Sequence, residues 1–194
     1  MDVLHLLAAT SAAAVLVATP VAASAETQIH KDNSRDVVRR GDHGQTPAPR
    51  HERADITTTV TRYSQHRVKI VVHVRDLRRV GDNFINAEIR TSAGGSYSAV
   101  LSRFEGGLAQ FDLLDTDGAS VPCGDASISF RSRKDLTSMR IPAGCLGTPA
   151  WMRIGIGQSW SSSNQSAPSF LDDSRRNGHF SAIKIAEGPR LHRG

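Results

Sequence analysis

The sequence predicts an all-β domain, an antiparallel sandwich or barrel, from three observations. Apolar and polar residues alternate in short runs, the runs recur about every 10 residues, and Gly-bearing turns separate them. No segment holds a helical period for three turns, and no motif recurs at a fixed spacing that would indicate a repeat array. The clearest strand is 67–77: Val68, Ile70, Val72 and Val74 share one face, while Lys69, Val71, His73 and Arg75 share the other. Residues 55–63 read as a strand with Ile56, Thr58 and Val60 on one face. Further strands are expected at 83–90, 96–104, 108–114, 126–131, 138–141, 151–157 and 179–185. Turns are expected at Gly81-Asp82-Asn83, Ala93-Gly94-Gly95, Glu105-Gly106-Gly107, Asp117-Gly118, Pro142-Ala143-Gly144 and Arg176-Asn177-Gly178.

The 194 residues allow one domain and exclude a large multidomain enzyme. With 5% aromatic residues, the core must be built from Val, Ile, Leu and Ala rather than around an aromatic-lined pocket. Residues 3–23 are apolar and free of Lys and Arg, and Ala23-Ser24-Ala25 follows, the order of a secretory signal peptide cleaved after Ala25. The n-region lacks a basic side chain. A membrane anchor fits less well: the run is Ala-rich, is broken by Thr10, Ser11, Thr19 and Pro20, and has no basic cluster directly after it. No other stretch is long and apolar enough to span a bilayer, so the expected product is secreted. In that oxidising compartment Cys123 and Cys145 form an even pair and are expected to be a disulfide. With no Cys-x-x-Cys, neither a redox site nor a Cys-rich zinc site is indicated. Residues 26–53 are polar, interrupted only by Val37-Val38, and are expected to form a disordered arm ahead of a domain spanning 54–194.

No catalytic residue, resident metal or cofactor emerges from the sequence. His73, with Arg75 and Asp76 nearby, reads as a solvated strand residue; no Gly-x-Ser-x-Gly elbow supplies a nucleophile, and His179 is similar. Asp112, Asp115, Asp117 and Gly118 faintly resemble a calcium loop, but Leu113-Leu114 interrupts the series, and a hairpin turn explains the same residues. Asp172-Asp173 precedes Arg175-Arg176, which reads as an exposed charged loop. The net charge is +5, with 24 Lys and Arg in all. The basic residues cluster at Arg39-Arg40, Arg78-Arg79, Arg131-Ser132-Arg133-Lys134 and Arg175-Arg176. Such a balance favours polyanions in general, an anionic wall polymer among them. Specific nucleic-acid binding would need a motif or stacking aromatics beside the basic patch, and neither occurs. Arg-rich, Ala- and Gly-rich usage also follows from a GC-rich genome.

The run from Arg140 to Gly155, with Pro142-Ala143-Gly144-Cys145-Leu146-Gly147-Thr148-Pro149-Ala150-Trp151 at its centre, resembles a family of small secreted proteins of actinobacteria. In that family a strand enters a Pro-x-x-Cys-Leu-Gly-x-Pro-x-Trp turn and a second strand leaves it. Asp172-Asp173 and the closing Gly188-Pro189-Arg190-Leu191 are similar to the family's ending. The likeness spans 53–194 and departs at Ala143-Gly144. It implies an immunoglobulin-like β-sandwich with one disulfide, and no activity.

After that turn, Met152, Ile154 and Ile156 are expected to face the core while Trp151 and Arg153 face away. Core or edge packing is the first expectation for Trp151. The alternative is a stacking platform, aided by Trp160 and Arg153, for a glycan. The expected function is a secreted, non-catalytic β-sandwich module, structural or binding. The alternatives are a surface module binding an anionic polymer or glycan and, less favoured, a hydrolase.

Overall fold

Alternation of apolar and polar residues has one physical outlet, a sheet with one face buried, and this chain builds two. A computed structural model describes residues 25–163, 167–181 and 184–194; the expected leader, 1–25, lies outside them but for its last residue. One antiparallel sheet runs β1 (Glu26–Lys31), β4 (Ile56–Tyr63), β5 (Arg67–Val74), β10 (Leu136–Pro142) and β9 (Ser127–Arg131). The other runs β3 (Gly44–Pro47), β2 (Val38–Gly41), β12 (Ser169–Asp173), β11 (Trp151–Ser161), β6 (Asp82–Thr91), β7 (Ser96–Arg103) and β8 (Ala109–Leu114). The short β13 (Leu191–His192) also pairs with β11. Two antiparallel sheets sharing one apolar core are compatible with the immunoglobulin-like sandwich that the resemblance implies. No helix among the described residues is long and apolar enough to cross a membrane.

The core takes Val68, Ile70, Val72 and Val74 from β5, Met139 and Ile141 from β10, Ile85, Ala87 and Ile89 from β6, and Met152, Ile154 and Ile156 from β11. Each of the Val, Ile and Met side chains contributes roughly 1.5–3 kcal/mol by leaving water. The expected faces of 67–77 and 151–157 are those observed. In β4 they are not. The register against β5 shifts between Ile56 and Thr58, so Thr59, Thr61 and Tyr63 turn inward and Val60 outward. A bulge adds a residue and inverts the alternation beyond it. Tyr63, fully buried, donates its hydroxyl to the Pro149 carbonyl at 2.6 Å.

The expected disordered arm is corrected most. Residues 26–31 form β1, and 38–47 form the β2–β3 hairpin. Apart from the buried Val38 their side chains are largely exposed, so backbone ladders hold most of these strands, β1 on β4 and β2 on β12. Val37, together with Ala54 and Trp160, anchors a smaller cluster. The strand expected at 179–185 is likewise absent where that segment is described. Ile185 instead fills the groove that Gly155 and Gly157 leave on β11; a Cβ on Gly155 would lie 2.8 Å from the Ala186 carbonyl. The disulfide Cys123–Cys145 is formed, and joins the β8–β9 connection to the 3-10 turn Ala143–Leu146 after β10.

Candidate functional site

Two constellations stand out, both assembled from residues far apart in sequence. The first lies on the solvent face of the five-stranded sheet. Lys69 on β5 is directly opposite Arg62 on β4 and Arg140 on β10, and all three are exposed. Cross-strand partners on one face hold their Cβ atoms about 5 Å apart, and like charges so placed destabilise a sheet. Among the described residues no carboxylate pairs with any of the three; the ion pairs fall at Arg75–Asp55, Arg78–Asp76, Arg90–Glu187 and Arg176–Asp173. Arg67 joins them around a depression of ≈ 340 Å³ also lined by Ser64.

Four residues further along the strands, or about 13 Å, the same face ends in Lys31, Thr58, His73, Leu136 and Arg131, which are cross-strand neighbours. Arg131 opens a second basic depression with Arg79, Phe130, Arg133 and Lys134. The guanidinium of Arg103, itself buried and with an unpaired Nη1, lies 5.3 Å from the Phe130 ring centre. Arg103 comes from β7 of the other sheet; on the five-stranded face itself this end carries Lys31 and Arg131, which form no ion pair among the described residues.

The second constellation is acidic. Asp32, just past β1, Asp36, just before β2, and Asp172 on β12 bring carboxylate oxygens within 4.8 Å of one another. Burial first, then Asp32 and Asp36, push the Asp172 carboxyl up to about 9. Burial first, then Asp36, push Asp32 up to about 8. Asp36 and Asp173 are raised as well, chiefly by burial. Each ionised pair at such a separation repels by on the order of 3 kcal/mol at an effective dielectric of about 20. The exposed charged loop expected at Asp172-Asp173 is therefore a correction: the two acids are 2% and 0% exposed within β12. Asp173 is satisfied by the N–H groups of Arg175 and Ala186.

The chain matches no family model, no curated protein and no solved structure.

Trp151 and Trp160 are not brought together. Nine residues apart on one strand, they sit about 30 Å from each other on opposite faces. Trp160 is buried against His51 and Phe170, donates its Nε1–H to the Val80 carbonyl at 2.9 Å, and presents no stacking face. Trp151 is half-buried, with the Arg190 guanidinium 4.3 Å from its ring centre, an edge packing. Arg153 lies on the same outer face, opposite Arg90. Asp115 caps its own turn by accepting the N–H groups of Asp117 and Ala119, as a hairpin turn requires, and Asp112 is exposed on β8. His73 lies between Thr58 and Leu136, and His179 is exposed. The Arg62–Lys69–Arg140 row has no sequence signature because its members come from three strands. Knowing which strands are neighbours is what reveals it.

Proposed function

We propose that the protein is a secreted, non-catalytic binding module that holds an anionic wall polymer on the solvent face of its five-stranded sheet. The observation that carries this is the Arg62–Lys69–Arg140 row, three cations in direct register with no carboxylate among them. A sheet gains nothing in stability from like charges placed opposite one another, so the row makes sense as an anion contact. The spread of cations to Arg131 and its neighbours, about 13 Å away, suits a polymer better than a single small anion. Secretion is supported by the disulfide. The non-catalytic reading is supported by His73, which lies on the open sheet face between Thr58 and Leu136, and by the exposed His179; among the described hydrogen bonds neither imidazole pairs with a hydroxyl or a carboxylate.

Co-sedimentation with purified, polyanion-bearing cell wall tests this. The mature chain should pellet at low salt and be released at high salt, because exposed charges are screened within about 10 Å at 0.1 M. The variant Arg62→Ser/Lys69→Ser/Arg140→Ser should stay in solution while unfolding no earlier than the parent. Equal pelleting of parent and variant, or no pelleting of the parent at low salt, overturns the proposal.

A further inference from the structure

The acidic constellation poses a separate question, since nothing in polyanion binding uses it. Its members sit where the chain leaves one sheet for the other: β1 belongs to the five-stranded sheet, β2 to the eight-stranded one, and Asp32 and Asp36 bound the connection between them. Asp172 closes the group from β12, the neighbour of β2. An acidic cluster alone is common on protein surfaces, but this one reaches from the partly buried Asp32 and Asp36 into the interior. Asp172 is 2% exposed; its Oδ2 accepts the Ile56 N–H, and its Oδ1 has no partner. One oxygen of Asp32 and both of Asp36 are also buried and unpartnered. The neighbouring Asp55 differs, because its Oδ2 is held by the Arg75 guanidinium at 2.6 Å and by the Arg35 N–H. The Arg75 cation is thus held by Asp55; Arg175 is near enough to feel Asp173 and Asp32, but among the described residues no cation forms an ion pair with the three aspartates.

We infer that Asp32, Asp36 and Asp172 form a calcium site that staples the β1–β2 crossover to β12. Calcium takes six to eight oxygen ligands at about 2.3–2.6 Å, so two bonds reach across about 4.6–5.2 Å, and waters complete the shell on the half-exposed Asp32 and Asp36 side. Carboxylate oxygens are its preferred ligands, and an all-oxygen set argues against zinc or copper. Affinity in the range of extracellular modules, about 0.1–1 mM, is expected.

The test uses the mature chain, treated with chelator and then titrated with calcium chloride. Calcorimetric heat should saturate near one equivalent, and 10 mM calcium should raise the melting temperature by about 5 °C or more over sodium chloride of equal ionic strength. Calcium should also slow tryptic cleavage at Arg35, between the two ligands of the crossover. Asp172→Asn and, as a milder change in a turn, Asp36→Asn should each abolish the calcium shift while melting no lower than the calcium-free parent, because an amide keeps an oxygen acceptor and cannot ionise beside the other acids. No heat and no shift in the parent, an equal shift from sodium chloride, or a full calcium shift retained by a folded Asp36→Asn variant overturns the inference.

Discussion

Asp172 Oδ2 accepts the backbone N–H of Ile56 at 2.7 Å, and this bond ties β12 of one sheet to the start of β4 in the other. Ile56 opens β4 just where its register against β5 is irregular, so its N–H is available to a side chain rather than to a neighbouring strand. Asp172→Ala leaves that buried donor unpaired and should cost about 1–3 kcal/mol. Asp172→Asn keeps a carbonyl acceptor and, without calcium, should unfold at no lower urea concentration than the parent. Urea unfolding of the two variants side by side separates the hydrogen bond from the charge.

Replacing Cys123 and Cys145 by Ser should lower stability by about 3 kcal/mol, since the bridge closes a loop of 22 residues. The check is the urea midpoint of the double variant at unchanged slope.

The two tryptophans should respond in opposite ways. Trp160→Ala empties a site packed by His51 and Phe170 and should cost about 3–5 kcal/mol. Trp151→Ala gives up a half-exposed contact with Arg190, worth about 1 kcal/mol or less. Equal losses would mean that Trp151 is as deeply packed as Trp160.

His51 stacks on Phe170 with ring centres 3.5 Å apart, and burial first, then Arg53, lowers its imidazole to about 4. Between that value and the ordinary 6.5 the unfolded chain binds a proton that the folded chain refuses. The stability due to the neutral ring is therefore complete above about pH 6.5 and is lost as pH falls toward 4. His51→Phe keeps a stacking ring that cannot titrate, so its melting temperature should fall less than the parent's between pH 7 and 4.5.

The strands whose apolar residues alternate were legible in the sequence, β5 above all, and so were the turns at Gly81, Gly94, Gly106, Gly118 and Gly178, which adopt positive φ. Gly81 shows why: a Cβ there would sit 2.4 Å from the Ser161 carbonyl. What composition hides is structure held by backbone ladders. The exposed strands β1 to β3 carry polar side chains and look like coil until a partner strand is known. The bulge at Ile56–Thr58 inverts one face without any marker residue. Asp172 and Asp173 look like a surface loop because acids usually are one, and only their place in β12 reveals the burial. Both constellations are products of strand order. Arg62, Lys69 and Arg140 meet through β4, β5 and β10, and Asp32, Asp36 and Asp172 through a crossover between sheets.

The central claim is that the cationic row on β4, β5 and β10 binds a polyanion, and the salt dependence of binding to a defined linear polyphosphate measures it directly. Each cation that displaces a condensed counterion adds about one unit to the slope of log K against log salt concentration. The parent chain should show a steep negative slope. Arg62→Ser/Lys69→Ser/Arg140→Ser should flatten it by about two to three units and weaken binding at low salt. An unchanged slope in the folded variant would contradict the account.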